Sequence, residues 1–239
     1  MNEEEIRAFA LEYAKQNKLR IARELANTSI YLPETNPISV FMAGSPGAGK
    51  TEFSKSLIEI LEKGQKRHVV RIDGDEVRQL IPGYTGDNSY LFQGAISLVV
   101  EKMHDLVLHS NQSFILDSTF SKFEKASLNI QRSLDKKRPI LIFYMYQQPG
   151  IAWKFTQARE MIEGRRVSKE AFVDAFIGSY ETLMRVSDEL RDDDIIIYFV
   201  KKNFEKNSVE NIIEITKGQE QIDRYIGKVY TKDELESLL

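Results

Sequence analysis

Gly44-Ser45-Pro46-Gly47-Ala48-Gly49-Lys50-Thr51 fits the spacing G-x-x-x-x-G-K-[ST] at every fixed position. Its flanks agree with that reading. Ile38-Ser39-Val40-Phe41-Met42-Ala43 ahead of it reads as a short buried strand. Thr51 to Leu61 behind it carries Phe53, Leu57, Ile58 and Leu61 at the spacing of an amphipathic helix. The glycines let the backbone curl so that successive N–H groups point inward, and the helix N-terminus adds a partial positive charge. Gly44, Ser45, Pro46, Gly47, Ala48, Gly49, Lys50 and Thr51 are therefore expected to cradle the phosphates of a nucleotide. Lys50 would reach the β- and γ-phosphates, and the Thr51 hydroxyl would hold Mg²⁺. The competing reading, a chance glycine turn before a helix, leaves the lysine and threonine unexplained.

Working outward, the same alternation repeats. Gly64-Gln65-Lys66-Arg67 reads as a turn, and His68 to Ile72 as a second strand ending in Asp73-Gly74-Asp75-Glu76. In open parallel sheets ligands bind at the carboxyl ends of strands. A carboxylate there can take or orient the proton of a substrate hydroxyl, so Asp75 is a candidate catalytic base. The bland alternative for Asp75 is a cap on a helix over Glu76 to Leu80. A breaker-rich loop from Ile81 to Asn88 precedes a long helix from Gln93 to His109. Ser113 to Asp117 is the third strand, and its tip, Asp117-Ser118-Thr119, again offers an acid and hydroxyls. A helix over Phe120 to Lys136 ends in Lys136, Lys137 and Arg138, and Ile140 to Tyr146 is the fourth strand.

After Pro149 a helix carries Trp153, Phe155, Arg159 and Met161 into Glu163-Gly164-Arg165-Arg166-Val167-Ser168-Lys169. Arginines in a glycine-containing turn between helices suit a lid that closes on a transferring phosphate. Surface salt bridging is the bland reading of Arg159, Arg165 and Arg166. A helix over Glu170 to Leu190, an acidic loop through Arg191-Asp192-Asp193-Asp194 and a fifth strand, Ile195 to Val200, complete the alternation. The expected fold is α/β: a P-loop NTPase/kinase-like five-stranded parallel sheet flanked by helices, with an N-terminal helical extension. Residues 1–37 form that extension and a linker, 38–200 the kinase domain, and 201–239 a C-terminal extension packed on it, with a short edge strand over Ile212 to Ile215 and a terminal helix. The N-terminal stretch reads as core-facing, a partner-docking arm being the sharper alternative.

Composition narrows the partners. Of 239 residues, 33 are basic and 36 acidic, so the net charge is −3 and no long nucleic acid is expected as substrate. The chain has no cysteine, which excludes disulfides and thiol nucleophiles and suits a reducing cytoplasm. No signal peptide opens it, and no apolar run approaches the ~20 residues of a membrane span.

From about Ile38 to Val200 the sequence resembles the zeta-toxin family of small-molecule kinases. The phosphate loop is similar to the family's, proline included. Asp73-Gly74-Asp75 resembles the family's strand end, whose second aspartate is taken as base. Glu101 lies where the family has a sugar-binding glutamate, and Asp117-Ser118-Thr119 where it carries an acid, a small residue and a threonine. Aspartate stands there in place of the usual glutamate, which withdraws the carboxylate by roughly 1.5 Å and bears on the acceptor more than on the reaction. Arg159 and Arg165-Arg166 resemble the two phosphate-clamping arginine positions, with the spacing to Lys169 favouring Arg165 over Arg166.

The resemblance implies transfer of phosphate from ATP or GTP, with Mg²⁺, to a hydroxyl of UDP-N-acetylglucosamine. Glu101, Asp117, Thr119 and Asp75 would bind that acceptor. It further implies a toxin that starves cell-wall synthesis and is silenced by a separate helical antitoxin, and it leaves residues 1–37 as a candidate brake on the site. Two other readings stand beside it: a kinase of another acceptor (a nucleotide, a nucleic-acid end or an antibiotic hydroxyl), and a non-enzymatic nucleotide-binding protein.

Overall fold

Strand β1 (Ser39–Ala43) is buried along its whole length. Alternate side chains of a strand face opposite ways, so Val40 and Met42 meet one layer of helices and Phe41 and Ala43 the other. In the computed structural model, which describes residues 1–63, 68–190, 194–203, 208–216 and 218–239, β1 lies inside a six-stranded sheet of order β2-β3-β1-β4-β5-β6. The other strands are β2 (Val70–Asp73), β3 (Phe114–Asp117), β4 (Ile140–Tyr146), β5 (Ile195–Asn203) and β6 (Ser208–Glu214). The first five pair in parallel, and β6 returns antiparallel along β5. The sheet therefore has six strands where five were expected. The sixth, β6, overlaps the short edge strand expected over Ile212 to Ile215 but starts four residues earlier, where exposed polar residues hide a strand that pairs on one side only. The expected turn over Gly64–Arg67 and the loop residues 191–193 lie outside the described residues.

Helices cover both faces. Helix α2 (Lys50–Glu62) presents Phe53, Leu57, Ile58 and Leu61 to Val40, Met42, Ile115 and Phe143. The larger core, on the opposite face, gathers α1 (Glu3–Leu25), α4 (Gln93–His109), α5 (Phe123–Leu134) and α7 (Lys169–Glu189). Helix α1 is a single helix opened by a capping box between Asn2 and Glu5. It packs its small buried residues Ala10, Ala14 and Ala22 against α4. Helix α1 packs on α4, and none of its residues lines the cleft described below. Helix α5 starts three residues later than expected, because Phe120 takes φ 58°, a left-handed conformation that interrupts a helix. Arg138, expected as a basic helix end, is buried and donates to the carbonyls of Ile38 and Gln112 at 2.9 and 2.6 Å.

Candidate active site

The parallel strands end together. Asp73 and Asp117 are register partners at the tips of β2 and β3, and the Gly44 N–H donates to the Thr119 carbonyl at 3.1 Å, tying the phosphate loop to the tip of β3. Helix α6 (Pro149–Glu163) then lies directly on that loop. A methyl group on Gly47 would come 2.0 Å from the Ala152 carbonyl oxygen and 2.8 Å from Thr156 Oγ1. Only glycine fits there, and its φ of +72° is one that L residues rarely adopt. Helix α6 is capped by Gly164, and α7 is capped by Ser168, whose hydroxyl accepts from the Ala171 N–H. Between them, Arg165 and Arg166 sit on a short turn held against the 82–89 loop. Gly164 packs on Gly86, and the Ser89 hydroxyl donates to the Arg166 carbonyl at 3.3 Å.

These elements enclose an open cleft of about 190 Å³. Pro46, Gly47, Gly49, Lys50 and Thr51 form its floor. The tips of β2 and β3 give Asp73, Asp75, Asp117 and Thr119, and the helices above give Thr156, Arg159, Arg165 and Val167. Gly44, Ser45 and Ala48 belong to the loop's far side. Ser45 and Ala48 are buried, and the carbonyls of Gly44 and Ser45 accept from Lys50 Nζ at 2.9 and 2.8 Å. Burial of this ammonium pushes the Lys50 pKa down to about 8, against the pull of Asp117, with Arg165 and Arg159 adding to the depression. Part of the residue remains accessible from the cleft. The ammonium is thus caged by carbonyls that a phosphate oxygen can replace.

Asp75 is the meeting point of the charges. Arg78 contacts one carboxylate oxygen, while Arg165 at 2.6 Å and Arg159 at 3.9 Å face the other. Helix α3 (Gly74–Gln79) begins immediately after β2, and its cap is Asp73: the Asp73 carboxylate accepts the Asp75 N–H at 2.9 Å. The helix-cap reading of Asp75 is therefore corrected to Asp73, because the helix starts at Gly74, two residues earlier than expected. Burial raises the Asp73 pKa, and Arg71 at 2.6 Å opposes that rise. Arg71 also pairs with Asp117 at 2.7 Å and Glu76 at 2.7 Å and donates to Ser54 Oγ at 3.2 Å. Asp117 is thus bound from below by Arg71 while still lining the cleft.

The cleft does not include Glu101 or Arg166. Glu101 is exposed on α4, eight residues beyond Gln93, where the same helix meets the cleft. At 1.5 Å per residue that is about 12 Å along the helix, away from the strand tips. Gln93 and Ile96 take its place in the lining. The Arg166 side chain is 74% exposed and faces Glu160, so Arg165 is the arginine of that pair that enters the cleft. Sequence reasoning missed Arg71 and Arg78. A signal existed for both. An arginine inside the apolar run Val69-Val70-Arg71-Ile72 needs buried carboxylates, and Arg78 stands three residues after Asp75, on the same helix face. Among the described residues no cluster of His, Asp and Glu could hold a metal by itself, and no helix is long and apolar enough to cross a membrane.

The family model of zeta toxin matches residues 21–215. No curated protein sequence matches the chain. Among solved structures, a chain from the PezAT chromosomal toxin–antitoxin system of Streptococcus pneumoniae superposes with a TM-score of 0.67 at 16% identity, covering 94% of this chain and 90% of that one. A chain of the AvrRxo1-ORF1:-ORF2 complex with ATP superposes with a TM-score of 0.61 at 13% identity, covering 94% and 72%. At these identities the likeness is one of fold, a parallel sheet flanked by helices around a phosphate loop. The family match runs from within the first helix to just past β6 and takes in every residue that lines the cleft, so this chain belongs to the zeta toxin family.

Proposed function

We propose that the protein transfers the γ-phosphoryl group of ATP or GTP to a hydroxyl of UDP-N-acetylglucosamine, and that it poisons a bacterial host by withdrawing that cell-wall precursor. The observation that carries this reading is the position of Asp75, a carboxylate in the same cleft as Lys50, joined to the α6–α7 turn by Arg165. A triphosphate entering the loop would draw Lys50 Nζ from the Gly44 and Ser45 carbonyls and draw Arg165 and Arg159 from Asp75 toward the γ-phosphate. Arg78 would still hold Asp75, leaving its second oxygen to accept the proton of the attacking hydroxyl. The hydroxyl oxygen bonds to the γ-phosphorus as the β–γ bridging P–O bond breaks, and the nucleoside diphosphate leaves with that oxygen. Thr51 and Asp117, both lining the cleft, offer the hard oxygen donors that Mg²⁺ takes alongside phosphates and water. Bound there, the ion would neutralise charge on the phosphates.

Phosphorus NMR of UDP-N-acetylglucosamine with ATP, Mg²⁺ and the protein tests the proposal. A new phosphomonoester resonance on the sugar is expected; release of free phosphate alone would sink it. A second reading keeps the reaction and changes the acceptor. Two residues that the resemblance assigns to the sugar are not simply offered to it, since Glu101 lies outside the cleft and Asp117 is paired with Arg71. Phosphate transfer to a panel of nucleotide, nucleoside and aminoglycoside hydroxyls separates the two. The near-balanced charge argues against a long nucleic acid. A separate antitoxin protein that occupies the cleft is the regulator this reading expects.

A further inference from the structure

A nucleotide with its γ-phosphate beside Asp75 must run its other end away from β2. In this sheet that direction leads past β1 toward β4 and β5. The carboxyl end of β5 carries two adjacent lysines, whose side chains point to opposite faces. Lys201 pairs with Glu210 at 3.9 Å. Lys202 has no carboxylate partner among the described residues and instead lies along the phosphate loop. A methyl placed on Gly49 would come 2.6 Å from Lys202 Nζ and 2.9 Å from its Cδ. The pairing of the β5–β6 ribbon shifts at this point. Lys201 faces Asn211 and Lys202 faces Val209, so Glu210 is an extra residue on β6. Such bulges sharpen local twist and re-aim side chains.

The electrostatics of this placement favour an anion between the two. Gly49 is the residue before α2, at the positive end of the helix dipole. A lysine ammonium is misplaced at a helix N-terminus unless negative charge sits between them. Lys50 and the arginine turn bring their cations to the cleft side of the loop, whereas Lys202 is not among the cleft-lining residues and approaches Gly49 from the β5 side.

We infer that Lys202 is a further nucleotide-binding residue, its ammonium meeting the α-phosphate end of the triphosphate while Lys50, Arg159 and Arg165 serve the γ end. The inference rests on the phosphotransferase reading above. Calorimetric titration of the full chain with Mg²⁺-ATP and with ADP separates the two ideas. Wild-type protein that binds neither nucleotide overturns the phosphotransferase reading itself. If it binds both, Lys202→Ala is expected to weaken ATP and ADP alike by about tenfold, the size of one charged hydrogen bond. Lys202→Arg is expected to recover most of that affinity, and in turnover assays the loss should fall on KM more than on kcat. Unchanged ADP affinity in Lys202→Ala overturns the inference. A loss confined to ATP overturns it too, by moving Lys202 to the γ-phosphate. Matching thermal melting curves exclude a folding defect, since Lys202 is half-buried on an edge ribbon.

Discussion

Asp73 and Asp75 stand two residues apart at the same strand tip and are held in different ways. Asp73 accepts a backbone N–H and shares the buried Arg71, and its side chain is 11% exposed. Among the described residues the Asp75 carboxylate is held by arginine side chains, from three separate places in the chain, and is 28% exposed. A carboxylate fixed by the backbone cannot exchange partners without unwinding the helix it caps. One fixed by side chains can release an arginine to an incoming phosphate and keep its own position. Under the proposed mechanism, partner type, more than distance to the phosphate loop, separates a structural acid from a reactive one.

Substitution breaks the comparison most directly at Asp75. Asp75→Asn keeps the shape and loses the proton acceptor, and kcat should fall by about 10²–10⁴ with nucleotide affinity largely retained. Equal kcat in Asp75→Asn and the wild type would return Asp75 to a structural role. Next in size is Arg165→Ala, expected to lower kcat by about 10², the usual loss for one preorganised transition-state donor. Arg166→Ala, on an exposed side chain outside the cleft, should stay within about twofold of wild type, because isolated surface ion pairs contribute little. A reversed ranking would exchange the two arginines' roles.

A third test uses pH. The Lys50 pKa lies near 8 in the free protein, so its charged form, the one that binds phosphate, is present below that value and is lost as pH rises through it. ATP affinity should therefore drop by about tenfold between pH 7 and pH 9. A flat titration curve would mean that Lys50 is not the group that governs binding. The last test is Asp73→Asn, whose main effect is expected on stability and not on catalysis. Asparagine still caps the helix but gives up its charge to Arg71, so about 1–3 kcal/mol of stability should go, read by thermal or urea unfolding, while kcat changes by less than about tenfold. A dead but fully stable Asp73→Asn would invert the comparison.

The sheet was legible because its central strands are nearly unbroken apolar runs. Helix α4 and strand β4 fall where the periodicity puts them. The phosphate loop declared itself through glycines whose need is steric, as the α6 carbonyl over Gly47 shows. What the sequence hid has a common physical character. Helix α3 is too short for periodicity to fix its first residue. Helix α8 (Gln219–Ile226) buries only Ile222 and left no stripe to read. The partners of Arg71 come from β2, α3 and β3 and meet only after the strands align. Glu101 marks the opposite case, where matching position along a helix does not bring the residue into the cleft lining.

The strand order also sets when the site can exist. β1 pairs with β3 and β4, so Val40 must find Ile115 and Leu141 before the loop that follows it has a floor. At ribosomal speeds of about 5–20 residues per second, the roughly hundred residues to Leu141 take about 5–20 s to appear. The arginine turn emerges later still. A nascent chain therefore carries its phosphate-loop sequence for seconds with no sheet to shape it, and a truncated chain ending at Asp117 is expected to bind no ATP. The cleft can close only after the arginine turn has emerged, a delay inherent in the winding of the sheet.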